Sequence, residues 1–140
     1  VLNTVKRGIT MKICITSKSN EPDSDIEPRF GRAPYFIIAD TENGEFEAVE
    51  NPAAGATGGA GIQAAQEVAK MQADVLITGN VGPNAYEVLS TAGIEVVTTS
   101  GVSVKEGIEQ YNKGTLEKVS GPTARAHAGM GRGQGRGGRK

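Results

Sequence analysis

The sequence predicts an α/β protein built on a five-stranded mixed sheet with flanking helices. Three short apolar runs, at residues 11–17, 36–40 and 46–50, follow one another with no helical period between them. The last two are separated by a segment containing Asn43-Gly44, a strong hairpin signal, so the first third reads as an antiparallel meander. Downstream, strand and helix patterns alternate twice with short loops, which implies parallel pairing through right-handed crossovers.

The elements follow in chain order. Residues 1–10 show no period and read as an upstream extension without function. In the first strand, residues 11–17, Ile13 and Ile15 share one face and Cys14 points to the other. A polar loop covers residues 18–25. Next comes Glu27-Pro28-Arg29-Phe30-Gly31-Arg32-Ala33-Pro34-Tyr35-Phe36, in which two prolines fix φ on either side of a Phe-Gly pair. This pinned loop feeds the second strand, residues 36–40, and the third runs over 46–50.

Residues 51–61, Asn-Pro-Ala-Ala-Gly-Ala-Thr-Gly-Gly-Ala-Gly, form a glycine-rich loop that opens a helix over 62–71. The fourth strand, 74–78, runs into Gly79-Asn80-Val81-Gly82-Pro83. A helix over 85–91 follows, with Pro83 suited to its first turn. The fifth strand covers 93–98, and the last helix, 102–111, has Ser103 as its candidate N-cap.

Composition bounds the function. At 140 residues, with 37% hydrophobic and 22% charged, the chain is one domain plus a tail. It has no Trp and only 4% aromatics, so the core must be aliphatic. No apolar run approaches the roughly 18 residues that span a bilayer, and no apolar leader precedes the first strand. A soluble, cytoplasmic protein is expected. The single cysteine, Cys14, excludes an intramolecular disulfide and an all-Cys cluster site built from one chain.

Charge is divided unevenly. Up to residue 120, ten Lys and Arg against sixteen Asp and Glu leave −6, whereas Arg125, Arg132, Arg136, Arg139 and Lys140 give the remainder +5. An acidic body argues against nucleic-acid binding and leaves a basic tail that could reach a partner. Residues 121–140, rich in Gly, Arg and Ala, cannot bury a core and are expected to be disordered. Arg-Gly repeats suit RNA, but no aromatic is interleaved for stacking. His127 is solitary and receives no metal role.

Candidate chemistry concentrates in two loops. Arg29 and Arg32 could grip an anion bidentately, or they could pair with Glu27, Asp25 or Asp23 and merely close the loop. The glycines before the first helix could expose N–H groups to an anion, or serve as a connector. No Lys-Ser/Thr pair follows them, so this is not a Walker A loop. Cys14 is either a buried small hydrophobe or a metal ligand. In parallel sheets ligands bind beyond the carboxyl ends of strands, where Gly79-Asn80 sits.

A three-stranded antiparallel meander followed by two parallel strands with crossover helices is the ribonuclease H-like arrangement. Nucleases of that fold need clustered acids, the first on strand one, to hold Mg²⁺. Strand one here carries none, so nuclease chemistry is disfavoured. No nucleophile–base pair or paired carboxylate can be located, and an enzyme is not expected.

The order of elements also carries a family resemblance, through Phe30-Gly31-Arg32-Ala33 before strand two, Asn51-Pro52 after strand three, and the Val-Leu-Ile-Thr-Gly-Asn-Val-Gly turn at 75–82. It resembles the nitrogenase iron-molybdenum cofactor-biosynthesis family, which includes NifX-like proteins and the C-terminal part of NifB. The match runs over residues 11–120. The resemblance implies a non-catalytic carrier of an iron–sulfur or iron–molybdenum cluster or its precursor, with metallocofactor-assembly proteins as partners. Relatives often carry His at the position of Arg29, where imidazole could ligate a metal and guanidinium cannot. The remaining soft ligands are Cys14 and the thioether of Met71. The implied binding set is therefore Arg29, Phe30, Gly31, Arg32, Gly58, Gly59, Gly79 and Asn80 around an anionic cluster, or Cys14 shared across a homodimer. Two other classes stay open: a small-anion or nucleotide-binding regulatory domain, and an interaction module that docks a partner through its basic tail.

Overall fold

The computed structural model describes residues 11–40, 45–56, 58–99 and 101–119. The expected hairpin turn at Asn43-Gly44, the extension at 1–10 and the Gly/Arg-rich tail at 121–140 lie outside the described residues. The strands are β1 (Lys12–Ser17), β2 (Tyr35–Asp40), β3 (Phe46–Glu50), β4 (Val75–Thr78), β5 (Glu95–Thr98) and β6 (Glu117–Lys118). The helices are α1 (Ala60–Lys70), α2 (Pro83–Thr91) and α3 (Val104–Asn112), with a 3₁₀ turn at Phe30–Arg32.

The sheet order is β3-β2-β1-β4-β5-β6. β1, β2 and β3 pair antiparallel, while β1–β4 and β4–β5 pair parallel. The five-stranded mixed sheet expected from the sequence is therefore present, in an order compatible with the ribonuclease H-like arrangement. β6 extends its edge, antiparallel to β5. Two residues are too few to carry a period, so no sequence pattern announces it.

Alternation along β1 divides the core into two layers. Cys14 joins Phe36, Leu76 and Val96 beneath Ala64, Ala65 and Val68 of α1 and Ala85 and Leu89 of α2. On the other face Ile13 and Ile15 join Ile37, Val75, Ile77 and Val97 beneath Val104 of α3. β1 and β4, covered on both faces, read as near-continuous apolar runs, as buried parallel strands do.

Helix boundaries follow local chemistry. α1 begins two residues before its expected start because Gly59, at φ 70°, turns the chain directly into the helix. α2 likewise begins at Pro83 and not Ala85, since proline's fixed φ suits the first helical position and its missing N–H is not needed there. α3 is closed by a capping box. Ser103 accepts from the Glu106 N–H at 3.1 Å, and Glu106 Oε1 accepts from the Ser103 N–H at 2.9 Å.

The segment leaving β1 returns to lie on the carboxyl end of β4. Glu27 N–H donates to the Thr16 carbonyl at 3.0 Å, and Asn80 N–H donates to the Pro28 carbonyl at 2.8 Å. Arg29 and Asn80 form a parallel bridge. The fully buried Thr16 and Thr78 hydroxyls sit 2.9 Å apart, and Thr16 Oγ1 also lies 2.7 Å from the Glu27 carbonyl. One hydroxyl thus donates to the other, which donates to the carbonyl, and no buried oxygen is left over. The approach is close enough that a Cβ on Gly79 would stand 2.5 Å from the Cα of Pro28.

Gly79→Ala should therefore push the Pro28-Arg29 backbone off β4 and cost about 2 kcal/mol, in the range of overpacked sites. Denaturant titration would show this as a lowered midpoint. A wild-type midpoint would mean that the segment is not pressed onto the β4 exit.

Candidate functional site

The pinned loop, α1 and α2 enclose a cleft of about 410 Å³ beyond the carboxyl end of β4. Arg29, Phe30 and Gly31 form one wall, Gly59 to Ile62 a second, and Asn80 with Gly82 to Ala85 a third. Both helices thus direct their N-termini at one space. The first N–H groups of a helix have no acceptor within it. In α1 these belong to Ala60, Gly61 and Ile62, and in α2 to Asn84 and Ala85, Pro83 having none. Neither helix has a side-chain cap or an acidic residue in its first turn. The positive ends of both dipoles are therefore uncompensated by the local sequence.

The structure brings together Arg29, Phe30, Gly31, Gly59 and Asn80 of the expected binding set. Arg29 takes the acidic partner that its sequence context offers and still lines the cleft. Its Nε donates to Glu27 Oε2 at 3.1 Å, while the side chain as a whole remains 70% exposed at the cleft. Arg32 lies outside the lining. Its Nη1 donates to the carbonyls of Ala56 at 2.7 Å and Ala54 at 3.1 Å, fastening the glycine-rich loop to the pinned loop. Gly58 precedes the wall residue Gly59 and is exposed. Gly79 lies under Pro28, where its lack of a side chain permits contact between backbones.

Asn51, from the Asn-Pro pair after β3, is the second fastening. Its Nδ2 donates to the Ala33 carbonyl at 2.8 Å, and its Oδ1 accepts from the Ala53 N–H at 3.0 Å. These bonds set the path from β3 to α1. Gly31 then fits against the α1 N-terminus, where a Cβ would come within 2.9 Å of the Gly61 nitrogen.

Cys14 is fully buried in the core beneath α1 and α2 and does not line the cleft. Burial pushes its thiol well above the ordinary value of 9.0, which keeps it protonated. A protonated, enclosed thiol is a poor metal ligand. Met71 packs against the same core layer. Among the described residues, the cleft lining contains no Cys, His, Asp or Glu. Among the described residues no group of three or more such side chains could hold a metal ion. Among the described residues the site offers hydrogen-bond donors and the Arg29 guanidinium, groups whose chemistry suits an anion.

The wall contributed by Gly82, Pro83, Asn84 and Ala85 was missed in the sequence. Its signal was the missing acid and missing cap ahead of Pro83, legible only once α2 is known to start there.

A small mixed sheet flanked by helices, with a cleft at the carboxyl end of β4, defines an α/β domain. The chain belongs to the dinitrogenase iron-molybdenum cofactor family, whose model matches residues 11–114. It is similar to the apo form of the orange protein from Desulfovibrio gigas, with 37% identity over 80% of this chain and 95% of that one and a TM-score of 0.78. It is also similar to a candidate NifB protein from Thermotoga, at 40% identity over 77% of this chain and 92% of that one, with a TM-score of 0.69. An uncharacterized protein of Methanocaldococcus jannaschii is 36% identical over 111 residues, 77% of this chain and 91% of the relative. Among the described residues no helix is long and apolar enough to cross a membrane.

The burial of Cys14 makes stability depend on alkaline pH. Above about pH 9 the thiol of the unfolded chain ionises, while the buried thiol keeps its proton, so the unfolded state gains. The contribution is complete below that pH and is lost as pH rises. Between pH 9 and roughly pH 10.5 the wild type should lose about 1.5 kcal/mol more than Cys14→Ala, measured by denaturant unfolding. Parallel losses in the two proteins would contradict the burial.

Proposed function

We propose that the protein is a non-catalytic carrier that receives an iron–sulfur or iron–molybdenum type cluster, or an anionic precursor of one, during metallocofactor assembly. The observation that carries this reading is the convergence of Arg29 and two uncapped, acid-free helix N-termini on one cleft. Membership of the family supports the class of cargo. The cargo brings its own inorganic ligands. The protein meets these with the N–H groups of Gly61, Ile62, Asn84 and Ala85, with Arg29, and with the amide of Asn80, against the ring of Phe30. Hydrogen bonds to a charged acceptor are each worth about 1.5–3 kcal/mol, so a few suffice for micromolar holding without a covalent bond.

On this reading the function resides in the body, residues 11–120. A cargo held without covalent ligands can be passed to a cytoplasmic assembly partner without ligand exchange at the protein. The described lining has no nucleophile–base pair that would act on it. Arg32 serves by fastening the loop that carries Gly59, and Cys14 by filling the core.

Anaerobic titration with iron plus sulfide, and separately with a preformed cluster, tests the reading through visible absorption and metal retained after desalting. Wild type and Cys14→Ala should retain the preformed cluster equally. Arg29→Ala should weaken retention by about tenfold, the equivalent of one charge-assisted bond. Loss of metal in Cys14→Ala with retention in Arg29→Ala would overturn the assignment. An anion displaced by ATP analogues, with no iron retained by the wild type, would favour the regulatory-domain alternative.

A further inference from the structure

Glu27 is a carboxylate hydrogen-bonded to the cleft wall, and it is almost completely enclosed. Its residue exposure is 6%, against 70% for the side chain of Arg29. Its backbone is fixed at both ends of the peptide unit, since its N–H donates to Thr16 and its carbonyl receives the Thr16 hydroxyl. Oε2 then accepts two bonds from Arg29, the backbone N–H at 3.0 Å and Nε at 3.1 Å. A buried carboxylate tied to β1 thus holds both the main chain and the inner nitrogen of an exposed arginine.

A guanidinium can meet an anion side-on, through Nε and one Nη, or end-on, through both Nη groups. Glu27 occupies Nε, so the side-on mode is closed. No described residue accepts a hydrogen bond from either Nη group of Arg29, and the end-on fork is therefore available. We propose that Glu27 is a positioning residue that presents Arg29 end-on at the cleft, and that the cargo is an anion with two adjacent acceptor atoms, oxo or sulfido, spaced to match the Nη pair. This inference rests on the cleft being the cargo site. It explains why an acid stands beside an anion cleft. The negative charge weakens the local potential, but the carboxylate is spent on Nε and on fixing the fork before the cargo arrives.

Positioning and simple electrostatics predict opposite signs. If Glu27 acts only through its charge, removing it strengthens anion binding. If it positions Arg29, removing it weakens binding. The test is calorimetric titration of the full chain with molybdate, a tetrahedral oxoanion with adjacent acceptors, at low ionic strength. Glu27→Ala should bind about tenfold more weakly, the scale of one charge-assisted hydrogen bond. Glu27→Gln retains a carbonyl acceptor for the Arg29 N–H and Nε and should stay within about twofold of wild type. Arg29→Ala should also weaken binding, and Arg29→Ala combined with Glu27→Ala should be no weaker than Arg29→Ala alone, because the two act as one unit.

Equal or tighter binding by Glu27→Ala would overturn the positioning role while leaving the cleft reading intact. Molybdate binding by Arg29→Ala at wild-type strength, or no binding by the wild type, would overturn both. If Glu27→Ala does not fold, the Arg29 Nε–H resonance of the wild type decides. It should be protected from exchange before and after molybdate addition, with only the Nη signals moving, and an unprotected Nε–H in the free protein would overturn the proposal.

Discussion

A Cβ at residue 79 would stand 2.5 Å from the Cα of Pro28, and one at residue 31 would stand 2.9 Å from the amide nitrogen of Gly61. These two contacts between backbones determine where the pinned loop can lie. At Gly79 the loop meets the exit of β4 and completes a bridge between Arg29 and Asn80. At Gly31 it meets the N-terminus of α1. A side chain at either position would separate the walls, and the two helix N-termini would no longer share a cleft with Arg29. The remaining fastenings, Arg32 onto the Ala54 and Ala56 carbonyls and Asn51 onto Ala33, hold the glycine-rich loop to the same frame.

The division of labour across the sheet follows from this geometry. Core-forming side chains occupy the body of the strands, including the thiol of Cys14, which burial keeps protonated. Apart from Arg29, Phe30 and Ile62, the cleft beyond the strand ends is lined by glycine, alanine, asparagine and proline, residues that leave main chain accessible and add little bulk or charge. Donor groups of the backbone cannot ligate a metal, but they are well suited to the inorganic anions that surround one. If the cleft receives the proposed anionic cargo, its specificity rests on the few side chains present, chiefly Arg29 as held by Glu27.

Much of this was legible in the sequence, for identifiable reasons. Alternation of Ile13, Cys14 and Ile15 gave the two faces of β1, and the apolar run ending at Thr78 marked a strand, which the structure covers on both sides. Ser103 stood out as the candidate N-cap of the last helix, although the helix was expected from residue 102 and begins at Val104. Phe30-Gly31-Arg32 and Gly79-Asn80 stood out as loop signals, and the structure brings their neighbourhoods together. The targets of Arg32 did not stand out, because the carbonyls of Ala54 and Ala56 carry no side-chain signature. Its partners could only be sought among acids, and it found backbone. The α2 wall of the cleft was missed for a similar reason: Pro83, Asn84 and Ala85 contribute through where the helix begins and not through what they carry. For Arg29, pairing with Glu27 and facing a ligand were read as alternatives, although a guanidinium with five donors can do both.

On the proposed function, cargo sits among main-chain donors at the two helix N-termini and not at the thiol. The most direct measurement is an amide NMR spectrum of the full chain recorded anaerobically while a preformed paramagnetic cluster is added. Broadening should centre on the amides of Gly61, Ile62, Asn84 and Ala85, with those of Ile13, Cys14 and Leu76 the last to respond. Broadening centred on Cys14 and its strand neighbours, with the helix N-termini unperturbed, would contradict that placement.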